Sequence, residues 1–336
     1  MKKKVGLIGV SGLIGRHFLQ ELAEHPWFEI GALVGSEQTA GKLLGEVLGG
    51  QVALPPALLQ MRILSAEETI PAELLFSAVK GDVAEALEKK LRDRGHKIIT
   101  CARPHRMDPE VPLLIPEVNS DHLSLLNGKR GGWIVAKPNC SVVGIALALK
   151  PIHDLFGLER IEVVTLQALS GAGLPGVASL DILDNVIPNI GGEEERIIVE
   201  PKKLFGTLKE NRIEELPLSI GATTTRVPVI DGHMAIVSFS CKKRGTMQQF
   251  KSCWSNFKGL DLPSAPKSPV FYLEDPFSPQ PRLHRMRESG MGITLGRLRE
   301  TPHFDATFVA LSHNALRGGA KGAILGAELL SQQGYF

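Results

Sequence analysis

The stretch VGLIGVSGLIGRHFLQEL, residues 5–22, reads as a buried strand, a turn carrying Gly9, Gly12 and Gly15, and an amphipathic helix. Glycines at this spacing let the backbone approach a pyrophosphate, whose charge the amides of the helix N-terminus stabilise. The same glycines could serve an ordinary tight turn. Strand before, helix after and an N-terminal position together favour dinucleotide binding, by Gly9, Ser11, Gly12, Leu13, Ile14 and Gly15. The end of the next strand, within VGSEQTAGK (residues 34–42), bears on which dinucleotide is bound. An acid at that junction would take a ribose 2′-hydroxyl. Ser36, Thr39 and Lys42 instead suit a 2′-phosphate, which favours NADP, while Glu37 keeps NAD open.

Working outward, FEIGALV, LLFSAV, KIITC and WIVAK read as further strands, and DVAEALEKKLRDRG as a helix stopped by Gly95. Strands alternating with helices imply parallel βαβ units. Beyond residue 150 the texture changes. RIEVVTLQAL, ATTTRVPVI and HMAIVSFSC are longer alternating segments, interleaved with helical patterns such as SLDILDNVI. The expected fold is therefore α/β: an N-terminal Rossmann-type domain plus an α+β domain with a mixed, largely antiparallel sheet. The expected boundaries are 1–139 with about 314–336 for the dinucleotide domain, and 140–313 for the catalytic and dimerisation domain. The proline-rich segment 264–285 reads as a surface excursion, and the stretch from His313 as a helix returning to the first domain.

Composition narrows the function classes. The 336 residues are 43% apolar and 22% charged with a net charge of +2, which gives no electrostatic case for nucleic acid or a membrane surface. No apolar run approaches a membrane span. The four cysteines form no CxxC pair and have no histidine at metal-ligand spacing, so no metal is expected and a reducing cytoplasm is the simpler setting.

Cys140, in KPNCSVVGIALALKP, stands where a helix should begin, and a helix N-terminus favours the thiolate. Position alone leaves a nucleophile and a small buried residue equally open. Cys101 follows a strand and could face a cleft, whereas Cys241 and Cys253 read as structural. A cysteine nucleophile needs a proton carrier, and His233 closes RVPVIDGH at a turn between two β-rich segments. His17, His25 and His96, in or near surface helices, read as solvated.

The collinear stretches GVSGLIGR, HRMDPEVPLLIPEVN, PNCS, LQALSGAGLPGVASLDILDNVIPNIGGEEE, RVPVIDGH and SHNALRGGA resemble the aspartate-semialdehyde dehydrogenase family in its archaeal and fungal branch, over nearly the whole chain. That resemblance implies reduction of L-aspartyl 4-phosphate to the semialdehyde, a step of amino-acid biosynthesis, usually with NADPH. It implies Cys140 as nucleophile, His233 as acid/base and Gln167 as the residue orienting the acyl intermediate. By the same resemblance Arg226 binds the substrate carboxylate, Glu200 its amino group, Arg106 and Lys203 its phosphate, and Asn139 precedes the nucleophile. Ser170, Gly171 and Asn314 correspond to positions near the cofactor. The implied partners are a small-molecule substrate and inorganic phosphate, in a homodimer or homotetramer.

Several positions depart from the family pattern. CARPHR puts Cys101, Arg103 and Pro104 where the family has an asparagine and small residues, and SAVKGD puts Lys80 and Gly81 where it has a Leu-Pro-like turn. Gln38 stands where an arginine often meets the 2′-phosphate, and Lys321 where glycine is common. A malonyl- or succinyl-CoA reductase of the same fold is the alternative enzyme, though Glu200 would have no amino group to meet there. A non-catalytic dinucleotide-binding paralogue is the alternative of another class.

Overall fold

Short apolar runs, mostly buried on both faces, build the N-terminal sheet, as expected for parallel strands covered by helices. They are β1 (Lys3–Ile8), β2 (Phe28–Gly35), β3 (Ile63–Ser65), β4 (Leu74–Ser77), β5 (Lys97–Thr100) and β6 (Trp133–Ala136). In the computed structural model, which describes residues 2–336, they form one parallel sheet in the order β3-β2-β1-β4-β5-β6. This is the doubly wound order. Its direction of winding reverses between β1 and β4, which leaves a crevice at their C-terminal ends. Helix α1 (Leu13–Leu22) follows β1, and α2 (Gly81–Asp93) follows β4.

The first compact unit comprises the chain up to Leu114, Asp121–Lys137 and Gly319–Phe336. Its C-terminal helix (Ala320–Gln332) packs on α1 and β5. The stretch from His313 to Gly319 is not helical, contrary to the sequence pattern, because the Gly318–Gly319 pair delays the start of that helix to Ala320. His25 also departs from its reading as solvated. It is 5% exposed, its Nε2 lies 2.8 Å from Glu328 Oε1, and its Nδ1 accepts the backbone N–H groups of Trp27 and Phe28. It thereby ties the chain before β2 to the C-terminal helix. Lys321, one of the departures from the family, forms a 3.1 Å ion pair with Glu21 on α1.

The second unit, Ile115–Ser120 with Pro138–Gly318, is built on a mixed sheet. Its strands are β7 (Leu158–Gln167), β10 (Ser219–Arg226), β11 (His233–Cys241), β12 (Val270–Leu273), β13 (Ile293–Arg299) and β14 (Ala306–Ser312), while β8 (Thr207–Lys209) and β9 (Arg212–Glu214) form a separate hairpin. The sheet order is β10-β7-β11-β14-β13-β12, antiparallel in its three central pairings and parallel at each edge. Helix α3 (Cys140–Phe156) lies on β11 and β14, with α4 (Glu193–Leu204) and α5 (Met247–Asn256) beside it. Its nearly unbroken apolar sequence is explained by burial of eleven of its residues. Each large aliphatic side chain buried in this way contributes about 1.5–3 kcal/mol.

Two expectations fail locally. The proline-rich segment is not only a surface excursion, because its VFYL run forms edge strand β12, a composition suited to a pleated surface. SLDILDNVI holds a single helical turn, Ser179–Ile182, before Leu183 turns extended and Asp184 takes φ 56°. Leu180 at 90% and Leu183 at 61% exposure bury no apolar stripe within the chain, so nothing sustains a longer helix.

Candidate active site

In the first unit a cleft of about 590 Å³ lies at the winding reversal, lined by residues following β1, β2, β3 and β4. Gly9, Ser11 and Gly12 form one wall, Ser36, Glu37 and Thr39 another, and Val79 and Lys80 a third. The N-terminus of α1 has neither a side-chain cap nor an acid in its first turn, so its orphan amides remain available to an anion. Gly15 is required for closeness of a different kind: a Cβ there would overlap the carbonyl oxygen of Gly9. Leu13, Ile14 and Gly15 belong to the first turn of α1 rather than to the cleft lining. Lys42 is exposed and also outside the lining. Thr39 Oγ1 donates to the Ser36 carbonyl at 3.2 Å, which sets both hydroxyl residues at the rim beside Glu37.

Arg106 is buried in this unit and donates from Nη2 to the Cys101 carbonyl at 3.0 Å. Burial pushes the Cys101 thiol up, and the nearby charges of Lys137 and Arg106 only partly oppose it. The departing loop is thus braced internally by Arg106.

In the second unit three strand ends meet at one edge of the sheet. Gln167 and Arg226 are paired in register at the C-terminal ends of the parallel neighbours β7 and β10. His233 opens β11, antiparallel to β7, and so starts at that same edge. All three are buried, at 1%, 6% and 3% exposure. Gly171 lets two of them converge: a Cβ there would lie 2.9 Å from both Arg226 Nη1 and His233 Nε2. Arg226 Nη1 also donates to the Ala168 carbonyl at 2.7 Å.

Cys140 is the first residue of α3, half-buried, and its Cβ packs against Gly318. Asn139 caps the helix, its Oδ1 accepting from the N–H groups of Ser141 at 2.9 Å and Val142 at 3.4 Å. The backbone N–H of Asn139 donates to Glu200 Oε2 at 2.6 Å. Glu200 is 1% exposed and Lys203 3%, so neither is a solvated surface charge, although both lie in a helix of mixed charge. Asn314 uses both ends of its amide on the scaffold, accepting from the Gly232 N–H at 2.9 Å and donating to Ser170 Oγ at 2.8 Å. It thereby ties the turn before His233 to the Ser170–Gly171 loop.

Two residues at this edge were not singled out from the sequence. Glu193, the first residue of α4, takes Asn139 Nδ2 on both carboxylate oxygens, at 3.0 and 2.9 Å, and Gln167 Nε2 at 3.2 Å. In sequence it is hidden in a triple-glutamate run of the kind that ordinarily begins a helix. His313 is buried beside His233 and follows β14 directly.

Burial, with Arg226 and His313 beside it, pushes His233 down to about 3, so the ring is neutral at ordinary pH. The Ala168 N–H donates to Nδ1 at 3.0 Å, which puts the ring proton on Nε2. Among the described residues Nε2 has no hydrogen-bond partner. Burial also draws the Arg226 guanidinium down, while the charges of Cys140 and Glu193 oppose that shift. A thiolate at Cys140 would therefore lie both at the mouth of a 17-residue helix and in the field of Arg226.

The histidine makes stability depend on pH. The unfolded chain protonates this ring near 6.5 and the native site only near 3. Between those values the unfolded state binds the extra proton, so stability falls as pH is lowered. Urea midpoints measured from pH 7 to pH 5 should decline more steeply in the wild type than in His233→Asn. Converted to unfolding free energies, the two slopes should differ by up to about 1.4 kcal/mol per pH unit.

A doubly wound domain with an anion-ready helix terminus, joined in one chain to a domain presenting cysteine, histidine and arginine, defines a two-domain dehydrogenase architecture. Residues 4–126 match the semialdehyde dehydrogenase NAD binding domain, and residues 149–317 match the semialdehyde dehydrogenase dimerisation domain. The chain is 40% identical to the aspartate-semialdehyde dehydrogenase of Archaeoglobus fulgidus, with 99% of each chain covered. It is 36% identical to that of Saccharomyces cerevisiae, with 98% of each covered. It also superposes on a crystal structure of aspartate semialdehyde dehydrogenase with NADP from Candida albicans, at a TM-score of 0.92 and 34% identity, covering 99% of this chain and 100% of that one. The protein belongs to the semialdehyde dehydrogenase family.

Proposed function

We propose that the protein catalyses NADP-dependent reductive dephosphorylation of L-aspartyl 4-phosphate to L-aspartate 4-semialdehyde through a thioester on Cys140. The observation that carries this reading is the convergence of His233 and Arg226 on Gly171, with Cys140 in the field of Arg226. The Cys140 thiolate attacks the acyl carbon, and the developing oxyanion meets the Nε2–H of His233. Collapse of the tetrahedral adduct breaks the bond to phosphate and leaves the thioester. A bound reduced nicotinamide would supply the hydride that reduces this thioester. The Nε2–H of His233 would hydrogen-bond the oxyanion left by that reduction, and collapse of the oxyanion with expulsion of the Cys140 thiolate frees the aldehyde. In this reading Arg226 would grip the substrate carboxylate, Glu200 would meet its amino group and Lys203 would serve the phosphate. The cleft of the first unit fits a dinucleotide: uncapped α1 amides for the pyrophosphate, and Ser36 and Thr39 at the rim for a 2′-phosphate.

The direct test is phosphate-dependent reduction of NADP by L-aspartate 4-semialdehyde with purified protein. Turnover that requires both phosphate and the aldehyde supports the proposal, and its absence from folded protein with either NADP or NAD defeats it. Replacing Ser36 and Thr39 together by alanine should raise KM for NADP about tenfold or more, the loss expected for hydrogen bonds to a charged group, with little change for NAD. Equal effects on the two cofactors would mean that Glu37, not the hydroxyls, governs the rim. The protein is further proposed to act as a homodimer through its second unit, where Leu180, Leu183 and Val186 are exposed.

A further inference from the structure

We propose that Glu193 is a positioning residue that fixes the amide orientations of Asn139 and Gln167 at once, and so decides what each offers to the nucleophile and the substrate. The inference rests on the function proposed above for its turnover arm only. Glu193 is 6% exposed and follows Gly192, whose φ of 71° turns the chain into α4. An ionised carboxylate only accepts hydrogen bonds, so both amides must turn their NH₂ groups toward it. Arg196, one turn further along α4, forms an ion pair with the same carboxylate and supports its charge.

The consequences differ for the two amides. With Nδ2 held by Glu193, Asn139 presents Oδ1 to the first N–H groups of α3, and the helix start that carries Cys140 is set. With Nε2 held by Glu193, and Thr165 Oγ1 also within 3.4 Å of it, Gln167 is left to present Oε1. Gln167 therefore offers the substrate an acceptor, suited to an N–H or ammonium group, and not a donor for the acyl oxygen. That oxygen is left to other donors, the Nε2–H of His233 among them. Glu193 acts through its two amide partners.

The test is a mutant cycle with two readouts. Glu193→Gln puts a donor where only acceptors fit, so at least one amide must rotate or lose its partner. The first readout needs no substrate: alkylation of Cys140 by iodoacetamide, followed on the Cys140 peptide by mass spectrometry. It should slow several-fold in Glu193→Gln, with little further slowing when the change is made in an Asn139→Ala background. The second is turnover of aspartate semialdehyde. There kcat should fall about 10- to 100-fold, the scale of a small misplacement of reacting groups. The same change in an Asn139→Ala, Gln167→Ala background should cost less than about threefold. Glu193→Asp, which keeps an acceptor-only group, should lose less than Glu193→Gln, and if the glutamine variant does not fold the cycle is run with the aspartate variant. Losses that simply multiply across the cycle, or an aspartate variant worse than a folded glutamine variant, would overturn the proposal. Coupling in alkylation without wild-type turnover would leave the role of Glu193 standing and defeat only the proposed reaction.

Discussion

Cys140→Ala is expected to lower turnover by about 10⁴-fold or more while leaving the fold intact. The size follows from the chemistry: without the sulfur no thioester forms, and the remaining groups offer only binding and oxyanion contacts. The fold should survive because alanine is the best helix former and the residue is half-buried at the start of α3. The cap comes from Asn139, and the anchoring comes from the apolar residues that follow, so neither depends on the thiol. Thermal unfolding within a few degrees of wild type, with turnover lost, is the expected pair of results. Normal turnover would remove Cys140 from the mechanism.

His233→Asn is expected to lower kcat by about 10²- to 10³-fold, the usual worth of a hydrogen-bond donor to a developing oxyanion, with a much smaller change in KM. The structure gives this residue one defined role. The Ala168 N–H occupies Nδ1, so the neutral ring offers its proton from Nε2 toward the edge where Arg226 also points. Asparagine also carries a donor, but its shorter side chain does not reach the position of Nε2. Arg226 and the mouth of α3 should still hold substrate and thiolate, so binding should persist while the chemical step slows. A loss confined to KM would show that His233 only shapes the site.

Much of this arrangement was legible in the sequence where local chemistry and periodicity agree. The glycine turn after an apolar strand specified the dinucleotide-type domain, because both its neighbours are set by short-range patterning. Cys140 stood out because Pro-Asn ahead of a long apolar run marks a helix start. His25 was misread since burial against Glu328, 303 residues away, leaves no local trace. Glu193 was hidden for a related reason: acids in a first helical turn are ordinarily explained by the helix dipole, and only the tertiary fold brings this one to Asn139 and Gln167. The SLDILDNVI stretch has helical spacing but no surface of its own chain on which to bury it, so its pattern outran its structure.

The most direct measurement of the central claim is intact-protein and peptide mass spectrometry after mixing the enzyme with L-aspartyl 4-phosphate and no reduced cofactor. An aspartyl adduct on the Cys140 peptide, formed with matching release of phosphate and absent from Cys140→Ala, is the predicted result. Phosphate release with no adduct on Cys140, or an equal adduct in the alanine variant, would contradict it.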